Sequence, residues 1–291
     1  MASHPSRREF LVTAASTVVA ATVHGQTGQP STLTVGTVIA RIQDKLGVPW
    51  RDGSRDGLKA GTPDAIVTGI ATTAMATADV LRRAAAAGRN LVFTQEPTFY
   101  TPGEDGGNRA ADAVYLAKKA LVEERRLVVW RFTDHWNARK PNEPIGALAN
   151  ALGWSTYRQP DGEGFYKIPE TRLDALIEHV RTRLHARGGV RWIGRPDMRV
   201  RTVLLSPGTT DLPSTVTRMP RADVLIAGEP REWEAVPYVL DAGPQKAIVS
   251  VGRILSLEPG AAACAAWIRS FTPEVGVEAI TIGDPYWSAS S

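Results

Sequence analysis

A chain of 291 residues, 43% of them hydrophobic, can bury one large core or two modest ones, and its strand-and-helix alternation favours two linked lobes. The 34 basic and 30 acidic residues are scattered, leaving a formal charge of +4 with no basic patch, which argues against a nucleic-acid partner. The one cysteine, Cys264, excludes an intrachain disulfide and sits in an alanine-rich run as a small core residue.

Residues 1–25 read as an address. Ser6-Arg7-Arg8-Glu9-Phe10-Leu11 resembles a twin-arginine export signal, and the mildly apolar stretch after it, from Leu11 to Val23, is too short for an ordinary membrane span. Val23-His24-Gly25 offers a small-residue cleavage point; the alternative is a basic start followed by a surface helix. The resemblance implies a periplasmic or secreted protein that crosses the membrane already folded, with no membrane segment in its mature form. Residues 26–32 are a polar, Gly- and Pro-bearing linker.

The first lobe is expected over residues 33–153. Val35 to Leu46 reads as a helix with Val38, Ile39, Ile42 and Leu46 on one face, Ile66 to Ala71 as a strand, and Ala76 to Ala87 as a helix closed by Gly88. Leu91-Val92-Phe93 is a short buried strand that runs abruptly into Thr94-Gln95-Glu96-Pro97. A breaker-rich loop, Tyr100 to Asn108, follows, and then a helix from Ala110 to Arg126 that buries Val114, Ala117 and Leu121. A second such strand, Val128-Val129-Trp130, ends at Arg131-Phe132-Thr133-Asp134-His135. Strands and helices in this order predict right-handed parallel crossovers and an α/β fold.

A middle segment, 154–205, holds an amphipathic helix from Glu170 to Arg187 with Leu173, Leu176, Ile177, Val180 and Leu184 as its stripe; His179 and His185 fall off that stripe and face solvent. Val200 to Leu205 reads as another strand. In residues 206–291 two further apolar runs end in polar groups: Val224 to Ala227 at Gly228-Glu229, and Ala247 to Val251 at Gly252-Arg253, with Glu258 a few residues on. A last helix is expected from Ala261 to Phe271.

If these four strands are neighbours in one sheet, their carboxyl ends bring Glu96, Asp134, His135, Glu229 and Glu258 to a single edge, where open α/β sheets place their sites. Carboxylates that close are tolerated only with a proton or a cation between them, and an oxygen-rich set with one imidazole suits Mg, Mn or Ca better than Zn. The alternative is that each carboxylate caps a helix, because Glu96, Glu229 and Glu258 all stand immediately before a proline. No phosphate-binding Gly fingerprint with its lysine and no Gly-x-Ser-x-Gly elbow is present.

From Val35 to Trp287 the chain resembles the Nif-three-like dinuclear metal-centre family, whose members often carry the label GTP cyclohydrolase 1 type 2. The resemblance rests on Asp56-Gly57-Leu58, Gly69-Ile70-Ala71-Thr72-Thr73, Asn90 to Tyr100, Trp130 to Trp136, Ala222 to Glu229 and Gly283-Asp284-Pro285-Tyr286-Trp287. It implies two similar α/β lobes with mainly parallel sheets, a homo-oligomer that is a ring-shaped hexamer, and a site for two divalent metals (Mn, Mg or Zn) held by histidines and carboxylates, with metal-activated water attacking a polar substrate. Four positions where the family carries histidine ligands hold Gln95, Thr133, Asn137 and Arg253 here, and Glu258 is displaced by about one position. Residues left to bind metal are Glu96, Asp134, His135 and Glu258; Gln95, Thr133, Asn137, Glu229 and Arg253 would line the pocket. A guanidinium cannot coordinate a cation and would fork onto a carboxylate such as Glu96 or Glu258. Two functions follow from this pattern. One is a metal-free descendant with a scaffold or small polar ligand-binding role; the other is a metal-dependent hydrolase with a reduced, oxygen-rich site.

Overall fold

The structure, a computed structural model, describes residues 32–104 and 111–288. The expected address at 1–25, nearly all of the linker at 26–32 and part of the breaker-rich loop lie outside the described residues. Helix α1 (Val35–Lys45) opens at Thr34, whose hydroxyl accepts the Thr37 N–H, and buries Val35, Val38, Ile39 and Ile42 as one stripe. Strands β1 (Gly57–Ala60), β2 (Ile70–Thr73), β3 (Leu91–Thr94) and β4 (Val128–Arg131) alternate with α2 (Ala78–Ala86) and α3 (Ala113–Glu124). The strand expected from Ile66 starts later, because Val67 N–H bonds to the Leu33 carbonyl and Thr68 N–H to the Asn90 side chain, tying that stretch to the chain entry rather than to a ladder.

The first sheet has the order β1-β4-β3-β2-β10, where β10 (Val277–Ala279) comes from near the chain's end. Its inner pairs are parallel, and β1 runs antiparallel on β4 at one edge. On α3 the buried face is Lys118, Leu121 and Val122, not Val114 and Ala117; Val114 is exposed. A lysine on the inward face put the apolar stripe out of phase with the true one.

The chain then builds α4 (Asp134–Ala138), α5 (Glu143–Ala151), β5 (Phe165–Arg172), α6 (Leu173–Arg183), β6 (Arg191–Ile193), β7 (Arg199–Thr210), α7 (Leu212–Arg218), β8 (Val224–Pro230), α8 (Glu232–Asp241), β9 (Ala247–Ser250) and α9 (Arg253–Arg269). The second sheet has the order β5-β7-β8-β9-β6, with β7, β8 and β9 parallel and both edges antiparallel. The four strands read as one edge therefore divide between two sheets, β3 and β4 in the first, β8 and β9 in the second. Each sheet is covered on both faces, as parallel pairing requires: α1 and α9 against α2 and α3 for the first, α5 and α6 against α8 for the second.

Helix α9 joins the halves, packing on β2 and β10 of the first sheet and on β7 and β8 of the second. It begins at Arg253 instead of Ala261 and carries Pro259 in its interior. Proline there removes only the bond to the Leu255 carbonyl, and burial of Leu255, Leu257, Ala261, Cys264, Ala265 and Ile268 outweighs that loss. Glu258 thus lies within a helix and not on the loop after a strand. Cys264 is buried, and burial pushes its thiol pKa up, as a core residue requires. Among the described residues no helix is long and apolar enough to cross a membrane.

Candidate functional site

Glu96 leaves the carboxyl end of β3 on a corner held by backbone bonds. Gln95 and Glu96 N–H donate to the Thr73 and Ala74 carbonyls, and the Thr94 hydroxyl donates to the Glu96 carbonyl. From the other sheet, β9 runs straight into Gly252, at a φ of 86° that favours glycine, and the turn delivers Arg253 as the first residue of α9. Gly228 of β8 allows the neighbouring backbone to close in; a Cβ there would stand 2.5 Å from the Gly208 carbonyl oxygen. The β7 bulge between Ser206 and Thr209 accordingly presses toward the first turn of α9, with the Gly208 N–H on the Ser256 hydroxyl at 3.0 Å.

These elements converge on one guanidinium. Arg253 Nε and Nη2 donate to the two Glu96 oxygens, each at 2.9 Å, and Nη1 donates to Glu229 Oε2 at 2.9 Å and to the Thr209 hydroxyl. The Glu96 side chain is only 11% exposed, that of Arg253 32% and that of Glu229 58%, so the fork onto Glu96 is the shielded part. Burial works against the charge on Arg253, but the bonds to Glu96 and Glu229 more than offset it and hold its pKa above the ordinary arginine value. Arg253 thereby bridges the carboxyl ends of both sheets.

The other residues singled out from the sequence lie elsewhere. His135 is fully buried, stacked on Trp50 with ring centroids 3.9 Å apart; its Nδ1 is 2.7 Å from Asp56 and its Nε2 accepts the Arg51 N–H. Both ring nitrogens are thus engaged, with Nδ1 carrying the proton. Asp134 accepts the Arg55 N–H, and Asn137 is exposed. Thr133 precedes α4 without capping it. The cap comes from Asp56, whose carboxylate accepts the N–H groups of Thr133, Asp134 and His135. Glu258 accepts the Ile282 and Gly283 N–H groups at 2.6 and 2.8 Å, pinning the C-terminal tail to α9. Gln95 is buried beside Gly260 of α9, with neither amide atom hydrogen-bonded among the described residues.

The structure therefore joins Glu96, Glu229 and Arg253 in one network and leaves Asp134, His135 and Glu258 in two others. Among the described residues no three His, Cys, Asp or Glu side chains are placed to hold a metal ion. With Glu96 forked onto a guanidinium and both His135 nitrogens committed, the donor set does not fit a dinuclear centre. Sequence reading missed Asp56 as the cap of α4 and Thr209 as a partner of Arg253. The aspartate stood in Asp56-Gly57-Leu58 without any local sign of its distant partners, and Thr209 lay in an apparent loop.

The network borders a cleft of about 830 Å³, lined by Glu229, Arg231, Glu232, Arg253, Tyr286 and Trp287 among others. A second cleft, of about 600 Å³, lies between β1 and α3 beside Glu104. Near it the buried Lys118 donates to the Thr98 carbonyl at 2.5 Å, and burial pulls its pKa down to about 8 although Glu104 pulls it the other way.

Compared with known proteins, residues 37–242 match the family model described as Duf34/NIF3 (NGG1p interacting factor 3). No curated protein sequence matches the chain. Among solved structures it is similar to protein SA1388 of Staphylococcus aureus, with a TM-score of 0.69 at 14% identity over 88% of this chain and 99% of that one. A Bacillus cereus protein related to NIF3 gives 0.71 at 14% identity over 88% and 99%. Reduced HcgD from Methanocaldococcus jannaschii gives 0.60 at 15% identity over 85% and 97%. At such identities the likeness shows the fold.

Proposed function

Because the chain belongs to the Duf34/NIF3 family across residues 37–242 and yet carries a guanidinium among its gathered carboxylates, we propose that it is a member whose dinuclear metal site has been replaced by an arginine–carboxylate lock. On this reading it acts as a scaffold or small-ligand-binding protein and not as a metal-dependent hydrolase. The observation that carries the proposal is the two-point bond from Arg253 to Glu96. A divalent ion competing for Glu96 must displace a fixed positive charge that supplies two donors at once, and arginine stays protonated at any relevant pH.

Metal analysis of purified protein tests it. The expected result is no stoichiometric Mn, Mg or Zn, even after incubation with excess metal. One or two equivalents bound, and lost in Glu96→Ala, would refute the lock and favour the hydrolase. The proposal extends to export through the Ser6-Arg7-Arg8-Glu9-Phe10-Leu11 run and to a hexameric assembly, both by resemblance. The mass of the mature N-terminus and light scattering check these in turn.

A further inference from the structure

We infer that the cleft beside Arg253 is a binding site for a neutral saccharide, with Trp287 and Tyr286 as its stacking wall. The inference rests on the small-ligand reading above and names the class of ligand.

The tail that carries these two rings is fastened at both ends. Near β10, Ile280 N–H donates to the Thr72 carbonyl, the Arg83 guanidinium holds the Thr281 carbonyl, and Glu258 takes the Ile282 and Gly283 N–H groups. Beyond α6, Asp284 accepts the Gly188 N–H at 2.7 Å, and Arg187 donates to the Asp284 and Tyr286 carbonyls. The Arg187 guanidinium then lies 3.6 Å from the centre of the Trp287 ring and supports one of its faces. Gly188 is packed so closely that an added Cβ would stand 2.5 Å from Tyr286 Cβ. Despite this bracing, Tyr286 is 67% and Trp287 70% exposed. Large aromatic groups held rigid yet left open to water on a cleft wall have the form of a ligand platform, since they offer contact area with little conformational freedom to lose.

The polar lining selects among ligands. The cleft's cations, Arg191, Arg231 and Arg253, are matched in number by its carboxylates, Glu229, Glu232 and Asp284. Each cation is already paired: Arg253 with Glu96 and Glu229, Arg191 with Glu232, and Arg231 with Glu234. The three lining arginines thus each have a carboxylate partner, and Arg187, behind Trp287, has its guanidinium donors on the Asp284 and Tyr286 carbonyls, which disfavours nucleotides and other strong anions. Glu229 and Glu232 each engage one oxygen with an arginine, while the other oxygen takes no hydrogen bond among the described residues. Acceptors of this kind next to arginine donors suit hydroxyl groups, which both donate and accept, and an aromatic face suits the apolar side of a sugar ring. At about 830 Å³ the cleft has room for more than one ring.

The test is titration of the full chain with maltotriose, cellotriose and chitotriose, and with inorganic phosphate and AMP as anionic controls, followed by tryptophan fluorescence and calorimetry. At least one trisaccharide is expected to bind saturably, with phosphate and AMP silent. Trp287→Ala should weaken that binding about tenfold or more, Trp287→Phe should recover most of it, and Glu232→Gln should weaken it with the fold unchanged by circular dichroism. Absence of binding by all three sugars, binding of AMP or phosphate in their place, or equal affinity in Trp287→Ala would each overturn the assignment. A change of oligomeric state in Trp287→Ala without sugar binding would instead make the rings a subunit contact and overturn it equally. Metal content measured on the same preparation keeps this outcome separate from that of the arginine lock.

Discussion

Replacing Arg253 by methionine keeps the side chain's apolar stem and removes its charge, so it isolates the electrostatic part of the lock. Two charge-assisted bonds at 2.9 Å to Glu96 disappear, and a carboxylate that is 11% exposed is left without its cation. Breaking a fully buried pair costs roughly 3–5 kcal/mol, whereas exposed pairs are worth about 0.2–1 kcal/mol. Arg253 is 32% exposed, and its second partner, Glu229, is 58% exposed and adds little, so the expected cost is about 2 kcal/mol. For a chain of this size that corresponds to a fall in Tm of roughly 3–4 °C. Urea denaturation should show a lower midpoint at unchanged slope. In a double-mutant cycle with Glu96→Gln, the coupling should be about 1–2 kcal/mol. A coupling below about 0.5 kcal/mol would mean that the fork contributes no more than a surface contact, and the lock as described would be wrong.

Asp56→Ala removes the cap of α4 and the partner of the buried His135 together; a loss of about 3 kcal/mol or more is expected, with altered fluorescence as the Trp50 stack loosens. Lys118 has a folded pKa of about 8 against 10.5 for the free side chain, so between those values the unfolded chain binds the extra proton and stability rises with pH. A rise on the order of 3 kcal/mol across that window is expected, and Lys118→Met should flatten it in denaturation curves recorded from pH 7 to 10.5. Glu258→Ala should release the tail at Ile282 and Gly283 with a cost of about 1–2 kcal/mol, and hydrogen exchange at those two amides should accelerate while that of β8 and β9 stays slow.

Local pattern made much of the architecture legible. The apolar stripes of α1 and α6 and the four short buried runs that became β3, β4, β8 and β9 all stand in the composition of a few consecutive residues, because periodic burial leaves a periodic trace. Misreadings arose where a neighbour overrode that trace. Lys118 turned an inward face polar, and Pro259 marked a helix start in isolation but sits inside α9 because α9 has two sheets to cover. Of the site, Glu96 and Arg253 were legible as a carboxylate and a guanidinium at strand ends able to meet. Asp56, which holds Asp134 and His135 away from that pair, carried no local sign, since its bonds span more than seventy residues of sequence.

By itself the amino-acid order determined which segments could be strands and helices, the kinship of the chain, and the presence of an arginine, Arg253, just past a strand end. Tertiary structure alone decided that the acidic groups part into separate networks and that the guanidinium takes Glu96 from one sheet and Glu229 from the other. It also decided that Glu258 serves the tail. The reason is physical: secondary structure follows short-range periodicity, whereas the partner of a charged side chain depends on which distant backbone the packing brings within about 3 Å of it.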